Sequence, residues 1–219
     1  MAAGESARAS GGRPRVVLAT RNPGKIEELR RILAEVIDVE LVGLADLPEL
    51  PEVEETGDTF VANALLKARD VAARTGLPAI ADDSGLCVDY LDGAPGVRSA
   101  RWAGEPSDDA RNLSLVLAQT VSAAPDERGA HFTCAAAAVV PGMGERTAEG
   151  EMHGDLIRAP RGDGGFGYDP IFVADGYTQT TAELPATEKD AISHRGKAFR
   201  ALAPLLRELL EAHEQPQQH

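Results

Sequence analysis

The segment Pro78–Gly85 constrains the fold most, because a short apolar run there meets two adjacent carboxylates. The apolar part, Pro78–Ala81, is short and bounded by turn signals, which is typical of a buried strand. Open α/β sheets bind ligands just outside the carboxyl ends of their strands, and Asp82, Asp83 and Ser84 would lie there. Adjacent carboxylates repel each other, so a fold usually avoids such a pair unless a cation or a reaction uses it. Carboxylate oxygens of this kind suit Mg²⁺. An acidic turn after a strand explains these residues equally well.

Strands and helices alternate along the rest of the chain, which indicates a mixed α/β fold. Apolar residues at helical spacing follow Lys25, Thr59 and Asp109, and the last helix is predicted over about Ser193–Leu210. Further strands are predicted at Arg15–Ala19, Val39–Val42, Phe132–Val140 and Arg146–Glu151, with Leu86–Val88 continuing after a turn at Gly85.

Length and charge limit the function. A chain of 219 residues with 43% hydrophobic residues can form one domain or one domain in two lobes. The net charge of −13 argues against a general affinity for nucleic acid or anionic membranes.

The two cysteines exclude a disulfide framework and suit a reducing cytosol. Residues 1–14 are predicted to be a disordered extension, 15–211 a single domain, and 212–219 a flexible tail, and no apolar run is long enough to span a membrane.

Two polar clusters in the first half of the chain are candidates for phosphate and cation binding. Thr20–Lys25 follows a strand and precedes a helix, so a helix N-terminus, Asn22 and Lys25 would face a phosphate; an ordinary capped turn remains open. Glu54–Gly57 would add a carboxylate to Asp83 around a divalent cation, or it is a solvated acidic loop. Lys67 lies on the following helix, where most lysines face water.

Two clusters in the second half could bind a base. Gly164–Pro170 combines three glycines with two of the few aromatic residues, and an aromatic face stacks on a nucleobase. A glycine-rich loop with a core-packed Phe166 is the alternative. In Lys189–Lys197, Ser193 would cap the last helix, which places His194 and Arg195 in its first turn. Cations there oppose the helix dipole, and an anionic or carbonyl-rich ligand would compensate for that cost. Basic residues that simply face solvent are the alternative.

Together the clusters resemble the inosine triphosphate pyrophosphatase family over about Val16–Leu206. The most specific segments are Ala79–Leu86, Gly93–Val97 with Ser99–Arg101, Gly164–Phe172 and Ser193–Gly196. The resemblance implies an elongated mixed α/β sheet with flanking helices and two lobes around a central substrate cleft. It also implies a cytoplasmic, Mg²⁺-dependent homodimer that hydrolyses ITP, dITP and XTP to the monophosphate and pyrophosphate, which cleanses the nucleotide pool.

The resemblance further implies roles for individual residues. Asp83 would be catalytic, Glu55 and Asp83 would hold the metal, and Asp82 would support Asp83, although Glu54 could replace Glu55. The implied substrate-binding residues are Thr20, Arg21, Asn22, Pro23, Gly24, Lys25, Lys67, Ser84, Phe166, Gly167, Tyr168, Asp169, Lys189, His194 and Arg195. The family often has glycine at position 21, so Arg21 would be strained if its φ is positive.

Two rival functions remain open at this point. One is a pyrophosphate-releasing hydrolase for modified pyrimidine nucleotides, which would use a similar α/β fold. The other is a nucleotide-sensing or RNA-binding module without catalysis. The acidic composition counts against RNA, and paired carboxylates beside a phosphate turn count against pure sensing.

Overall fold

The structure is a computed structural model that describes residues 12–214. Its strands are β1 (Arg15–Leu18), β2 (Glu40–Gly43), β3 (Ala79–Val88), β4 (Gly129–Val140), β5 (Gly144–Leu156) and β6 (Phe172–Ala174). Its helices are α1 (Pro23–Val36), α2 (Phe60–Thr75), α3 (Asp109–Gln119), α4 (Ala186–Ile192) and α5 (His194–Glu214), with short 3₁₀ turns between elements. The predicted mixed α/β fold is confirmed.

The strands form one six-stranded sheet in the order β2-β1-β3-β4-β5-β6. β1 pairs in parallel with β2 and with β3, and Leu18 lies opposite Ile80. β5 pairs in antiparallel fashion with β6. Parallel pairing of β1 with both neighbours requires the crossover helices α1 and α2, which the sequence pattern predicts.

The described residues form two compact units. The first comprises the described residues up to Asp83, the stretch Ala135–Glu149 and the described residues from Ala198 onward. One of its cores packs small residues of α2, such as Ala64 and Ala68, against Ala79 and Ala81 of β3. These small side chains allow the helix to lie close to the strand, which brings polar side chains of α2 near the end of this run.

The second unit comprises Ser84–Cys134 and Gly150–Lys197. Its core joins β3, β4 and α3 residues to the segment around β6, and Phe132 packs edge to face on Phe172 at a centroid distance of 4.8 Å. Ile171 and Phe172 are fully buried. This core supports the segment that follows the glycine-rich loop.

Helix ends follow the local chemistry of the sequence. Asn22 caps α1, Thr59 caps α2 and Asp108 caps α3, each by accepting a hydrogen bond from a backbone N–H inside its helix. Gly76 ends α2 at φ 67°, in the left-handed region that favours glycine. Ser193 accepts a hydrogen bond from the Gly196 N–H at 2.9 Å, as the predicted cap of the last helix requires.

The prediction for β3 is wrong in one respect. The strand does not end at Ala81 with a turn at Gly85, because it continues from Ala79 through both acids to Val88. The acids remain in the sheet because each carboxylate contacts a lysine, whose positive charge offsets the free-energy cost of burying the carboxylate. α4 and β6 are also absent from the sequence-based predictions, and both are short.

The predicted termini differ slightly from the structure. The Pro14 carbonyl accepts a hydrogen bond from the Glu40 N–H, so sheet contacts begin one residue before the predicted domain. α5 continues to Glu214, three residues into the predicted tail. The rest of both predicted extensions, 1–11 and 215–219, lies outside the described residues, and the single domain over 15–211 stays a prediction. Among the described helices, none has the length and apolarity needed to cross a membrane.

Candidate active site

β3 places two buried acids on opposite faces of the sheet. Asp82 and Asp83 are 1% and 6% exposed, and successive strand side chains point to opposite faces, so their carboxylates diverge. The Asp82 Oδ2 lies 2.9 Å from the Nζ of Lys25 at the start of α1. The Asp83 Oδ1 lies 3.5 Å from the Nζ of Lys67 on α2. Each acid therefore has its own lysine, and the two do not form a chelating pair.

Asp83 is the centre of a polar cluster in the first unit. Its Oδ2 accepts a hydrogen bond from the Asn63 Nδ2 at 3.1 Å. The Lys67 Nζ also donates to the Glu55 Oε1 at 2.8 Å, so one ammonium group contacts two carboxylates. The cluster brings together three residues that the sequence singled out, and Asn63 completes it.

Opposing effects set the ionisation of this cluster. Burial raises the pKa of Asp83 above its ordinary value and repulsion from Glu55 adds to it, while Lys67, Lys25 and the Asn63 hydrogen bond oppose the rise without cancelling it. Burial alone would lower the pKa of Lys67, but the neighbouring carboxylates outweigh burial and raise it. Lys67 is therefore held in its charged form.

Glu55, and not Glu54, points toward Asp83. Glu55 is half-buried and contacts Lys67, whereas Glu54 is exposed. Within the described residues, no group of three or more His, Cys, Asp or Glu side chains is arranged to hold a metal. Mg²⁺ is usually held by one or two carboxylates together with waters and substrate phosphates. Glu55 and Asp83 fit that mode, because their oxygens already converge on a single cationic group.

The turn after β1 forms a helix N-terminus of the kind that binds phosphate. Asn22 Oδ1 accepts from the Lys25 N–H at 3.1 Å, and Thr20 Oγ1 accepts from the Asn22 N–H at 3.2 Å. Pro23 takes the first helical position and Gly24 follows it. Proline has no N–H, and the Ile26 N–H donates to the Asn22 carbonyl at 3.0 Å. The Gly24 N–H is therefore the first-turn donor without a partner inside the helix, and such donors are the basis of anion binding at helix ends.

Arg21 is not strained, contrary to the possibility raised by the sequence. Among the described residues, Asp92 is the non-glycine residue with a positive φ, and Arg21 is not. The Arg21 Nη2 donates to the Leu50 carbonyl, so the side chain ties the turn to the loop that contains Pro48 and Pro51. Its predicted contact with substrate stays a prediction.

A second cluster, in the second unit, surrounds Asp169. The Lys189 Nζ lies 2.5 Å from the Asp169 Oδ2, and both side chains are buried. The Thr181 hydroxyl donates to the Asp169 Oδ1 at 2.8 Å, and the Phe166 N–H donates to Oδ2 at 2.9 Å. Asp169 thereby fixes both the ammonium group of Lys189 and the backbone of Phe166.

Two cations lie against the Phe166 ring. The Lys189 Nζ is 5.1 Å and the Arg195 Cζ 5.5 Å from the ring centroid, both within cation–π range. Arg195 is 2% exposed, and its Nη2 donates to the Ser84 Oγ at 2.8 Å. This arrangement joins four of the predicted base-binding or sugar-binding side chains.

Three other predicted binding residues have internal partners. The Tyr168 hydroxyl donates to the Ser99 carbonyl at 2.8 Å, and burial, followed by the charge of Asp109, raises the pKa of this phenol. The Gly167 N–H donates to the Asp109 Oδ2 at 3.0 Å. The His194 ring stacks on Phe132 at 4.8 Å with planes 11° apart. These contacts are structural, and any contact with a ligand stays a prediction.

Two glycines of the 164–167 loop, Gly164 and Gly165, serve close packing within the protein. A Cβ on Gly164 would lie 2.7 Å from the Ala182 carbonyl oxygen. Gly165 has a φ of 68°, and a Cβ there would overlap the Asp169 carboxylate. The sequence associated these glycines with approach to a ligand, but in the structure they allow the loop to close around Asp169.

Sequence reasoning missed Asn63 and Thr181, the neutral residues that hold the two carboxylates. One signal for Asn63 was present. It lies four residues before Lys67, so both side chains share one side of α2. No comparable signal marks Thr181, which lies in an irregular segment.

Comparisons with known proteins identify the family and agree with the fold. A protein-family model described as the Ham1 family matches residues 16–205. A dITP/XTP pyrophosphatase of Streptomyces coelicolor is 61% identical over 90% of this chain and 98% of its own. A solved nucleoside-triphosphatase / dITP/XTP pyrophosphatase of Mycobacterium abscessus is 52% identical, with a TM-score of 0.70 over 88% of this chain and 98% of its own. A HAM1 protein from Coxiella burnetii is 41% identical, with a TM-score of 0.78 over 89% and 98%.

Proposed function

Because the chain belongs to the Ham1 family, we propose that it hydrolyses non-canonical purine nucleoside triphosphates to the monophosphate and pyrophosphate. The substrates are ITP, dITP and XTP, a class supported by relatives named dITP/XTP pyrophosphatase. Their hydrolysis keeps these nucleotides out of DNA and RNA. The observation that best supports this chemistry is that the buried Asp83 carboxylate lies beside Lys67 and Glu55.

Asp83 aligns the water that attacks the α-phosphorus. A bond forms between the water oxygen and that phosphorus, and the bond to the oxygen that bridges to the β-phosphorus breaks. The bridging oxygen leaves with its electron pair as part of pyrophosphate, and the proton of the water passes to Asp83 and then to solvent. Coordination to Mg²⁺ would lower the proton affinity of Asp83, so Asp83 would be a weak base in this step. Positioning and charge neutralisation contribute more, because phosphoryl transfer needs little covalent assistance.

The first unit supplies the groups that handle the triphosphate. Lys25 and Lys67 bring positive charge, and the N-terminus of α1 presents backbone N–H groups. Asp82 keeps the Lys25 ammonium group in place through its 2.9 Å contact. Thr20–Gly24 shape the turn, so these residues position phosphate oxygens without taking part in proton transfer.

Magnesium dependence is part of the proposal, with Glu55 and Asp83 as the protein ligands. When bound, the ion would neutralise phosphate charge and polarise the reacting phosphate. The two carboxylates suit it because both contact the single ammonium group of Lys67. Lys67 keeps their separation fixed in the structure described here.

The second unit supplies the groups that recognise the base. The Phe166 ring offers a face for stacking, and Lys189 and Arg195 offer donors for a 6-keto oxygen. Adenine carries a 6-amino group instead, whose N–H groups would face those donors without accepting a hydrogen bond from them, at a cost of about 1–3 kcal/mol. Hypoxanthine and xanthine satisfy them. Ser84, held by Arg195, is assigned to the sugar or phosphate region.

A homodimer in the cytoplasm completes the proposal, and gel filtration with light scattering measures the oligomeric state. The absence of a disulfide between the free thiols Cys87 and Cys134 is compatible with a reducing compartment. An elution mass equal to one 23.1 kDa chain would contradict the dimer.

A substrate panel tests the function. Purified protein with Mg²⁺ is expected to release pyrophosphate from dITP and XTP much faster than from dATP. Pyrophosphate is distinguished from orthophosphate by assaying phosphate with and without added inorganic pyrophosphatase. Equal rates on all purines would contradict the base specificity, and direct release of orthophosphate would contradict the bond assigned. Preference for modified pyrimidine nucleotides would favour the rival hydrolase, and binding without turnover would favour a sensor.

A further inference from the structure

Asn63 connects the two carboxylates of the first cluster. It lies in the first turn of α2 and is 1% exposed. Its Oδ1 accepts a hydrogen bond from the Gly57 N–H at 2.8 Å, and its Nδ2 donates to the Asp83 Oδ2 at 3.1 Å. One buried amide thus contacts both the catalytic acid and the loop that carries Glu55.

The orientation of this amide follows from its partners. A backbone N–H only donates, so the atom that faces Gly57 has to be the oxygen. The nitrogen then faces Asp83, where it donates to the carboxylate. Among side chains of this size, leucine has neither an acceptor nor a donor, and an ionised aspartate lacks the donor.

The loop before α2 packs directly on the start of the helix. A Cβ on Gly57 would lie 2.7 Å from the Asn63 Oδ1 and 2.8 Å from the Ala62 Cβ, so any larger residue would push the loop away. Glu55 is two residues earlier and reaches the Lys67 Nζ at 2.8 Å. Contact at Gly57 therefore sets how near the Glu55 carboxylate comes to α2.

These contacts close a ring. From Asp83 it passes through Asn63 to Gly57, along two residues of backbone to Glu55, and through Lys67 back to Asp83. We propose that Asn63 is a positioning residue for hydrolysis. It fixes the Asp83 carboxylate and the loop that carries Glu55, so that both acids converge on the Lys67 Nζ. The inference rests on the proposed function of this site. Asn63 acts through Asp83 and Glu55 and not on the substrate.

Two substitutions separate the halves of this role. Asn63→Asp keeps the acceptor for the Gly57 N–H but replaces the donor to Asp83 with a repelling carboxylate. Asn63→Leu has a similar size and removes both hydrogen bonds. We expect both to lower kcat on dITP on the order of 10- to 100-fold, with KM changed by less than about 3-fold. Only Asn63→Leu is expected to speed hydrogen exchange at the Gly57 amide.

Asn112 offers a matched control in the second unit. It is 2% exposed, its Oδ1 accepts from the Ala103 N–H at 2.7 Å, and its Nδ2 donates to the Ala100 carbonyl at 2.9 Å. Asn112→Asp and Asn112→Leu therefore remove equivalent hydrogen bonds away from the acids. We expect these variants to lose stability and to keep kcat per folded molecule within about 3-fold of wild type.

The outcomes are distinct. A kcat in both Asn63 variants no lower than in the Asn112 variants would overturn the proposal, and so would unchanged Gly57 exchange in Asn63→Leu. If Asn63→Leu does not fold, Asn63→Asp carries the kinetic test and Asn63→Ala the exchange test, with the same criteria. If the wild-type chain releases no pyrophosphate from dITP, the proposed function fails, while the exchange measurements still decide whether Asn63 ties the loop.

Discussion

Replacing Asp83 with asparagine should abolish activity and stabilise the fold. Asparagine has nearly the same shape but carries no charge and is a poor proton acceptor. We expect Asp83→Asn to lower kcat on dITP by at least about 100-fold, the usual size of a lost general base. The rate is measured as pyrophosphate release at saturating dITP.

The stability gain follows from the contacts of Asp83. The side chain is 6% exposed, and burial is the largest cause of its raised pKa, so the ionised form is costly in the folded state. The oxygen of asparagine still accepts the hydrogen bond from Asn63, so its NH2 group replaces the oxygen that faces Lys67 at 3.5 Å. Lys67 loses that contact but keeps its 2.8 Å contact with Glu55. We expect the free energy of unfolding to rise by about 0.5–2 kcal/mol, with Tm rising by about 2–4 °C per kcal/mol for a chain of this size.

The gain has a defined pH dependence. A carboxyl group whose pKa is raised on folding costs stability at pH above its folded pKa. It costs nothing below the ordinary value of 3.8, because it is then protonated in both states. The Tm advantage of Asp83→Asn is therefore largest near about pH 8 and shrinks as the pH falls toward about 4. Thermal unfolding followed by circular dichroism across this range measures it.

Asp82→Asn provides the control with the opposite sign. Its carboxylate is fully buried and lies 2.9 Å from the Lys25 Nζ, so the substitution leaves a mostly buried ammonium group without this partner and lowers Tm. A Tm of Asp83→Asn below that of the wild type at about pH 8, or a kcat within about 3-fold of wild type, would refute the reasoning.

Two further substitutions probe the second unit. Gly165→Ala should lower the free energy of unfolding in urea more than Gly176→Ala does. Both glycines have a positive φ, but only a Cβ at 165 would overlap Asp169. Equal losses would show that the loop relieves the overlap by moving. Arg128→Met should lower the free energy of unfolding by about 2–4 kcal/mol, since the buried guanidinium donates to three backbone carbonyls. Unchanged unfolding in urea would contradict that role, and kcat per folded molecule should be retained.

Helix boundaries were predictable because their signals are local. A residue such as Thr59 accepts a hydrogen bond from a backbone N–H three residues later, and Gly76 adopts a positive φ that other residues avoid. These interactions involve only neighbouring residues, so the sequence contains all the information they need. The alternation of strands and helices likewise predicted the mixed α/β fold, in which β1 pairs in parallel with β2 and β3.

The course of β3 was not predictable in the same way. Two adjacent acids after an apolar run are typical of a strand end, and nothing nearby in sequence indicates that they stay in the sheet. Lys25 and Lys67 decide the outcome, and they come from two different helices. Because the strand continues, Asp82 and Asp83 point to opposite faces. The two roles predicted from the sequence, Asp83 as the catalytic acid and Asp82 as its support, therefore belong to opposite faces of the sheet.

The neutral members of both clusters escaped detection for a related reason. A buried carboxylate has several acceptor sites, and one lysine does not satisfy all of them. In the first unit Asn63 donates the additional hydrogen bond to Asp83, and in the second unit Thr181 donates it to Asp169. Charged residues stand out in a sequence, since burying them is costly. Neutral polar residues are common on every helix and loop, so only the structure shows which of them contact a buried acid.

The two lysines of these clusters show why the neutral partners matter for function. In the proposed function, each ammonium group binds the nucleotide from the position at which its carboxylate holds it. A carboxylate held by the lysine alone could rotate with it. Asn63 and Thr181 limit that freedom, because each donates to one carboxylate oxygen while the lysine contacts the other. The Phe166 N–H limits it further in the second cluster, since it donates to the Asp169 oxygen that Lys189 contacts. In the proposed function the charged residues provide the chemistry, and the neutral residues fix the positions of the charged groups.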